Sequence, residues 1–184
     1  MGRRYKLLVL IALTCVLICI GIIAFNTQIS HAASPQQLRA AFLVNFIKLT
    51  KWPSDVNSFE IGVYKDEAFS SLLTKLLGSK KIQGKDVTVK LQDDAALFAN
   101  CHVVFVPKSA EGELGDVFTK IKALGDTPPK LTVGEEDPFI DAGGIIAFVP
   151  AGAKIKFKVN LVPAKTKNLS ISAKLLKLAV DVKK

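Results

Sequence analysis

Cys101 and His102 are adjacent in the apolar run "CHVVFV", and a thiol beside an imidazole is the pairing that activates a nucleophilic cysteine. The run is short, continuous and β-branched, which predicts a strand buried on both faces. Neighbouring side chains on a strand point to opposite faces, so these two groups cannot form a dyad with each other. We therefore expect His102 to be a packed strand residue rather than a base or a metal ligand.

A group of carboxylates in "GEEDPFID" is the second candidate for chemistry, and it comprises Glu135, Glu136, Asp137 and Asp141. Clustered carboxylates can bind a hard cation, but this spacing lacks the alternating oxygen ligands of a calcium loop. A solvated acidic turn is the favoured interpretation. The sequence also has no G-x-S-x-G, no glycine-rich phosphate loop and no H-E-x-x-H. We therefore predict no catalytic residue, no cofactor and no metal site, and hence a protein that is not an enzyme.

The N-terminal segment has the parts of an export signal. The basic "MGRRYK" is followed by an uncharged apolar run from Leu7 to Phe25, and small residues follow at Ser30 and Ala32. This arrangement predicts a signal peptide over residues 1–32, cut after Ala32. The apolar run is also long enough to span a bilayer, so an uncleaved anchor is the alternative. Either outcome places residues 33–184 outside the cytoplasm, and we predict a periplasmic protein.

The chain is basic, with a formal net charge of +9 over 184 residues. In an exported domain this charge favours an anionic membrane surface or an acidic partner, whereas nucleic acid is not expected as a partner. The favoured interpretation, however, is that the charge simply aids solubility.

Cysteine usage separates Cys101 from the other two cysteines. Cys15 and Cys19 lie in the N-terminal apolar run and would leave with a cleaved signal. Cys101 then has no internal disulfide partner. It is either buried and inert, which its apolar surroundings favour, or available for redox chemistry or an intermolecular disulfide.

Strand-like and helix-like segments alternate after residue 33, which predicts a single layered α/β domain with a mainly parallel or mixed sheet flanked by helices. The predicted strands are "EIGVY", "KDVTVKL", "CHVVFVP" and "KLTVG", followed by an antiparallel pair, "GGIIAFVP" and "KIKFKVN". The predicted helices are "EAFSSLLTKLLG", "EGELGDVFTKIKALG" and a C-terminal helix over "SAKLLKLAVDV". The antiparallel pair suggests a mixed edge to the sheet.

The stretch from Pro35 to Pro53 predicts an amphipathic helix with Ser34 as its N-cap and Pro53 at its end. One broad face carries Leu38, Phe42, Leu43, Phe46, Ile47 and Leu49, and the opposite face carries Gln37, Asn45, Lys48 and Lys51. The polar face is too polar for a transmembrane helix. We expect the apolar face to pack on the protein's own sheet, and membrane-surface binding or docking on a partner are the alternatives.

Six residues are candidates for contact with a partner or a ligand: Arg39, Asn45, Lys48, Trp52, Pro53 and Lys174. Arg39 points toward the apolar face of the helix, where it would extend to solvent, pair with an acid or contact a ligand. Trp52 beside Pro53 either caps the core, which is the favoured reading, or marks a contact surface.

Most of the chain after residue 35 resembles the YfiR-like periplasmic proteins. The resemblance runs in order through "RAAFLVNFIKLTKWP", "IGVY", "CHVVFVP", "LTVGEEDPFIDAGGIIAF", "IKFKVN" and "NLSISAKLLKLA". It implies an exported, often dimeric α/β domain without catalytic activity. It also implies repression of a membrane-bound diguanylate cyclase through the cyclase's periplasmic domain, with a cell-wall-associated or outer-membrane lipoprotein that sequesters the repressor.

The sequence departs from the YfiR-like pattern in its cysteines. Other members often carry a cysteine in the strand that corresponds to "IGVY", where this chain has Gly62. An internal disulfide to Cys101 is therefore not expected here. The regulated partner need not be a cyclase, because such domains occur in varied settings.

Two other functions stay open. A periplasmic small-molecule-binding module that feeds a sensor or transporter would place an anion near Arg39 or Lys174, in the crevice at the carboxyl ends of the strands. An enzyme would instead need His102 or the carboxylates of residues 135–141 to converge in one pocket.

Overall fold

A computed structural model describes Gly2, residues 33–152 and residues 154–184. The predicted signal peptide therefore lies, except for Gly2, outside the described residues. The compact unit Ser34–Lys184 carries the fold. Within the described part of the chain, no helix combines the length and the apolar character that crossing a membrane requires.

A seven-stranded mixed sheet forms the middle layer. Its strands are β2 (Ser58–Tyr64), β3 (Asp86–Gln92), β4 (Val103–Val106), β5 (Leu131–Glu135), β6 (Ile146–Ala151), β7 (Lys154–Asn160) and β9 (Asp181–Lys183). Their order across the sheet is β3-β2-β4-β5-β6-β7-β9. Strands β2 to β6 are parallel, β7 is antiparallel to β6, and β9 is parallel to β7. A small antiparallel pair joins β1 (Thr50–Lys51) to β8 (Ser170–Ile171). The prediction of a mainly parallel, mixed α/β sheet is confirmed.

Helices cover both faces of the sheet. They are α1 (Pro35–Lys48), α2 (Glu67–Leu77), α3 (Leu114–Ala123), α4 (Asp137–Asp141), α5 (Leu161–Thr166) and α6 (Ala173–Leu176), with 3-10 turns over Ala95–Phe98 and Lys108–Glu113. Helices α1 and α2 pack on one face and α3 and α4 on the other, so two apolar clusters flank the strands.

Strand β4 shows why both faces are covered. Val103 and Phe105 point into the cluster under α1 and α2, whereas Val104 and Val106 point into the cluster under α3. All four are buried, as expected for a parallel strand between two layers of helices. Cys101 and His102 come just before β4, rather than within the strand as the sequence suggested.

Helix α1 packs its apolar face on the sheet as expected, except for Leu38 near its start, which is exposed. Phe46 is fully buried, and its ring centroid lies 4.9 Å from that of Phe157 and 5.4 Å from that of Phe148. Phe42 extends the group at 5.9 Å from Phe157. Burial of such side chains stabilises the fold by about 1.5–3 kcal/mol each. Ser34 begins the helix with a capping box that includes Gln37.

Two predicted boundaries are wrong. Helix α1 ends at Lys48 rather than Pro53, because Thr50 and Lys51 pair with Ile171 and Ser170 as strands. The predicted C-terminal helix stops at Leu176, and Asp181–Lys183 joins the sheet beside β7 instead. In both places a hydrogen-bonded partner distant in sequence overrides the local helical pattern.

Candidate partner-binding surface

Arg39 lies at a cavity formed where the carboxyl ends of β4, β5 and β6 meet the start of α1. The cavity has a volume of about 240 Å³ and is lined by Pro35, Arg39, Lys108, Glu135, Glu136, Phe148, Val149, Pro150, Gly152, Lys154 and Ile155. A crevice is therefore present at the carboxyl ends of the strands, as expected. Arg39 lines it, whereas Lys174 is not among its lining residues.

Arg39 pairs with an acid, one of the three roles expected for it. Its Nε lies 2.7 Å from Oε1 of Glu135, and the side chains are 31% and 13% exposed. The Nε–H is not aligned on that oxygen, so the contact is an ion pair without a hydrogen bond. The other oxygen of Glu135 accepts a hydrogen bond from the backbone N–H of Lys108 at 2.7 Å. Glu135 is thus held between α1 and the end of β4.

Asn45 and Lys48 lie in a second depression, which we name the α1–α2 groove. It is lined by Ala41, Val44, Asn45, Lys48, Leu76, Leu77, Lys80, Lys81 and Ile82 and has a volume of about 220 Å³. Its floor is apolar, and Asn45, Lys48, Lys80 and Lys81 are exposed. Lys81 pairs with Asp86 at 3.1 Å. The groove is therefore an apolar surface with a basic rim.

Trp52 is buried, with 8% of its surface exposed, so it supports the surface instead of presenting a contact. Its indole Nε1–H donates to the Ile47 carbonyl at 3.1 Å, and its ring lies 5.1 Å from that of Phe59. The core-capping interpretation is therefore the one that the structure supports. Pro53 beside it is half-buried, and Lys174 is exposed on α6.

Gln83, which was not among the predicted site residues, holds the end of α1 next to the groove. Its Nε2 lies within hydrogen-bond distance of the carbonyl oxygens of Ile47, Lys48 and Thr50, at 3.3, 3.0 and 3.1 Å. These carbonyls belong to the end of α1 and the residues after it, where helices leave acceptors unpaired. Gln83 thus fastens the turn that follows α2 to the end of α1. A glutamine before Gly84 carries no sequence pattern that would have revealed this contact.

Cys101 is fully buried and its Sγ lies 3.4 Å from Oε1 of Glu60. Burial, followed by this hydrogen bond, raises the pKa of the Cys101 thiol to about 12. A thiol without thiolate character and without access to solvent is unreactive, so the inert alternative is favoured over redox chemistry or an intermolecular disulfide. A Cβ at Gly62 would lie 2.9 Å from the Cys101 Sγ, so the two positions are neighbours.

His102 packs edge-on against two aromatic rings, with centroids 6.3 Å from Trp52 and 5.9 Å from Phe59. Its Nδ1 accepts the backbone N–H of Glu60 at 3.3 Å. Burial lowers the pKa of His102 below its usual value. The imidazole is therefore a neutral packing group with a structural hydrogen bond, as expected from the sequence.

Three of the four acids between residues 135 and 141 form ion pairs, and they do not gather around a cation site. Glu136 pairs with Lys108, and Asp137 pairs with Lys158 at 2.8 Å. The described residues hold no group of three metal-ligating side chains. His102 lies before β4 among aromatic rings, whereas these acids lie at and after the end of β5. The convergence that an enzyme would need is not seen among them.

A comparison with protein families matches residues 36–180 to the family described as YfiR/HmsC-like. The chain belongs to the YfiR/HmsC-like family. The family acts in the periplasmic regulation of cyclic di-GMP signalling, and its members are in general regulatory and non-catalytic. The match covers every described helix, apart from Pro35 at the start of α1, and every strand of the large sheet except β9, which begins at Asp181 just beyond the match.

Two solved structures share the fold. A conserved domain protein from Vibrio cholerae O1 biovar El Tor aligns with a TM-score of 0.54 and 12% identity, over 82% of this chain and 60% of that one. The ABC domain from Streptococcus pneumoniae in complex with L-Trp aligns with a TM-score of 0.55 and 13% identity, over 80% of this chain and 62% of that one. This chain thus spans about three fifths of either protein, and the likeness concerns the fold alone. No curated protein matches the chain significantly.

Proposed function

We propose that this protein is a non-catalytic regulator that is exported to the periplasm, where it binds the periplasmic domain of an inner-membrane diguanylate cyclase, or of a related sensor protein, and holds it inactive. The family match over residues 36–180 carries the proposal. A lipoprotein associated with the cell wall is the second expected partner, which relieves the repression by sequestering the regulator.

The α1–α2 groove is the surface that we propose for the cyclase or sensor. Its apolar floor can bury a partner's apolar side chains, and the lysines on its rim favour a partner with acidic side chains around them. Lys48 at the end of α1 and Lys80 in the loop after α2 are both exposed, and both line the groove. Trp52 supports the groove indirectly, because its hydrogen bond to the Ile47 carbonyl holds the end of α1.

Cellular cyclic di-GMP, measured in the native host with and without this gene, tests the proposed pathway. A clear rise on deletion, reversed by the gene in trans, is expected of a protein that represses a cyclase. No change under several growth conditions would contradict the repression of a cyclase and detach the protein from this pathway.

Binding to purified periplasmic sensor domains encoded near the gene tests the proposed surface. Lys48→Glu reverses a charge on the groove rim and is expected to weaken a specific complex by roughly tenfold. Lys183→Glu on β9 makes the same change in net charge away from the groove, and its affinity should stay near that of the parent. Equal losses for both variants would mean that overall charge, rather than the groove, drives binding.

The cavity at Arg39 favours a second candidate function, a module that binds a small molecule and feeds a sensor or transporter. Three cations, Arg39, Lys108 and Lys154, outnumber the two acids Glu135 and Glu136 on the cavity lining. Phe148 and Pro150 add apolar walls, and this setting suits an amphiphilic anion. A screen of carboxylates and phosphates by thermal unfolding tests this function. A stabilising compound whose effect is lost in Arg39→Gln would support it, and a screen without any shift would count against it.

A further inference from the structure

Strand β3 is an unpaired edge of the sheet. In the described part of the chain its seven residues pair with β2 on one side and have no strand on the other. The strand contains no proline, and Asp86, Thr88, Lys90 and Leu91 are exposed. A long edge strand with free backbone groups is a template for another strand.

The backbone of β3 shows which residues are free to pair. The carbonyl of Gln92 accepts a hydrogen bond from the N–H of Lys65, the residue that follows β2. The N–H and C=O of one strand residue point the same way, and this direction alternates along the strand. The backbone groups of Val87, Val89 and Leu91 therefore face the open edge.

The sequence of this edge is complementary to itself. The segment Asp86-Val87-Thr88-Val89-Lys90 has an acid at one end, a base at the other, and a Val-Thr-Val centre. We propose that β3 pairs antiparallel with β3 of a second copy of this chain, with the two-fold axis at Thr88. Asp86 then lies opposite Lys90 of the second copy, and Val87 opposite Val89. Opposite charges and matched β-branched residues are favourable cross-strand pairs.

The register follows from backbone geometry as well as from charge. In this register Val87 of each copy forms a hydrogen-bonded pair with Val89 of the other. Such a pair needs backbone N–H and C=O groups that face the open edge, and those of Val87 and Val89 do so. A register centred on Lys90 would place two lysines opposite each other, which is unfavourable. Asp86 and Lys90 can still contact a second copy, although each already has an ion-pair partner within the chain. Asp86 pairs with Lys81 and its side chain is 76% exposed, and Lys90 pairs with Glu60 and its side chain is 47% exposed.

The pairing is isologous, so it closes as a dimer and continues the sheet from one copy into the next. Strand β3 lies at the opposite end of the sheet from β9. The inference does not rest on the proposed regulatory function, because it depends only on the edge and its sequence.

Disulfide trapping in the purified protein tests the register, with Cys15 and Cys19 changed to serine wherever the N-terminal segment is retained. Thr88→Cys places two thiols at a non-hydrogen-bonded pair, where the Cα atoms lie about 4.5 Å apart, within the range that a disulfide spans. We expect a disulfide-linked dimer under mild oxidation. Ser71→Cys, exposed on α2, is the matched control and should stay monomeric on a non-reducing gel. Equal cross-linking of both variants, or none at position 88, would overturn the proposal.

Sedimentation of the parent and of Asp86→Lys provides the second test. The parent should show a monomer–dimer equilibrium that depends on concentration. Asp86→Lys places like charges at both symmetric pairs and is expected to raise the dimer Kd by roughly tenfold. A parent that stays monomeric at its highest soluble concentration, or a variant that dimerises as tightly as the parent, would show that this edge is not the interface.

Discussion

The Nε of Arg39 on α1 lies 2.7 Å from Oε1 of Glu135 at the end of β5. This ion pair connects the first helix to a central strand at the rim of the cavity. Glu135 also accepts the backbone N–H of Lys108, so its carboxylate has a cation on one side and an amide on the other. The pair is part of the framework that holds α1 over the sheet.

Removal of Arg39 is expected to destabilise the fold. Glu135 is only 13% exposed, and Arg39→Ala would leave its charge without a counter-ion. Because the pair is partly buried, we expect a coupling free energy of about 1–2 kcal/mol, between the values of exposed and buried pairs. Urea unfolding of Arg39→Ala, Glu135→Ala and the double variant measures it. Additive losses of the single variants would mean that the pair contributes nothing.

Gln83→Ala is expected to lower the free energy of unfolding by about 1 kcal/mol, because the Gln83 amide is the donor near three carbonyls at the end of α1. The control is Gln36→Ala on the exposed side of α1, whose effect should stay within about 0.5 kcal/mol. Hydrogen exchange of the amides near residues 48–52 should also accelerate in Gln83→Ala. Unchanged exchange there would contradict a capping role.

Gly62→Ala tests the close packing behind β2. A Cβ at this position would lie 2.5 Å from Cδ1 of Phe98, which is fully buried, and 2.9 Å from the Cys101 Sγ. The crowding is expected to cost about 1–3 kcal/mol in stability. Gly115→Ala is the matched control, because a Cβ there meets no atom within 4 Å and alanine suits helix α3. Thermal unfolding should give opposite or clearly unequal shifts for the two variants.

Mild acidification is expected to lower the free energy of unfolding, because His102 is buried. Burial lowers the pKa of His102 in the folded protein below the value near 6.5 expected in the unfolded chain. As the pH falls through about 6.5, the unfolded chain takes up the proton first, so unfolding becomes more favourable. Protonation of Nδ1 would also remove the acceptor for the Glu60 N–H.

Unfolding free energies at neutral pH and about one and a half pH units lower measure this effect. The parent should lose stability over this interval, and His102→Gln, which keeps an acceptor but does not titrate, should lose less. Identical losses in both proteins would assign the pH dependence to other groups.

The layered α/β fold could be predicted because its signals are local. The continuous apolar run of β4 and the apolar face of α1 each encode one element through the spacing of side chains. The packed role of His102 and the buried state of Cys101 also followed from their apolar neighbours in sequence.

The site depended on relationships that no local pattern contains. Arg39 was visible as an anomaly on an apolar face, but its partner Glu135 comes from another element. Gln83 carried no signal, because its three acceptors lie more than thirty residues away. A side chain's type shows that it needs a partner, and only the folded chain decides which one it meets.

At the C-terminal end of the described residues, the backbone conformation likewise depends on a contact that the local sequence pattern does not contain. The spacing of Leu175, Leu178 and Val182 predicts a helix, but the segment after Leu176 leaves the helix and forms β9. Pairing of Val182 with Val159 of β7 adds a strand to the sheet edge, and these non-local hydrogen bonds override the weak local preference. The periodicity of apolar side chains in the sequence therefore determined the helices and strands that pack through an apolar face. Tertiary pairing decided the conformation of segments whose hydrogen-bond partners lie far along the chain.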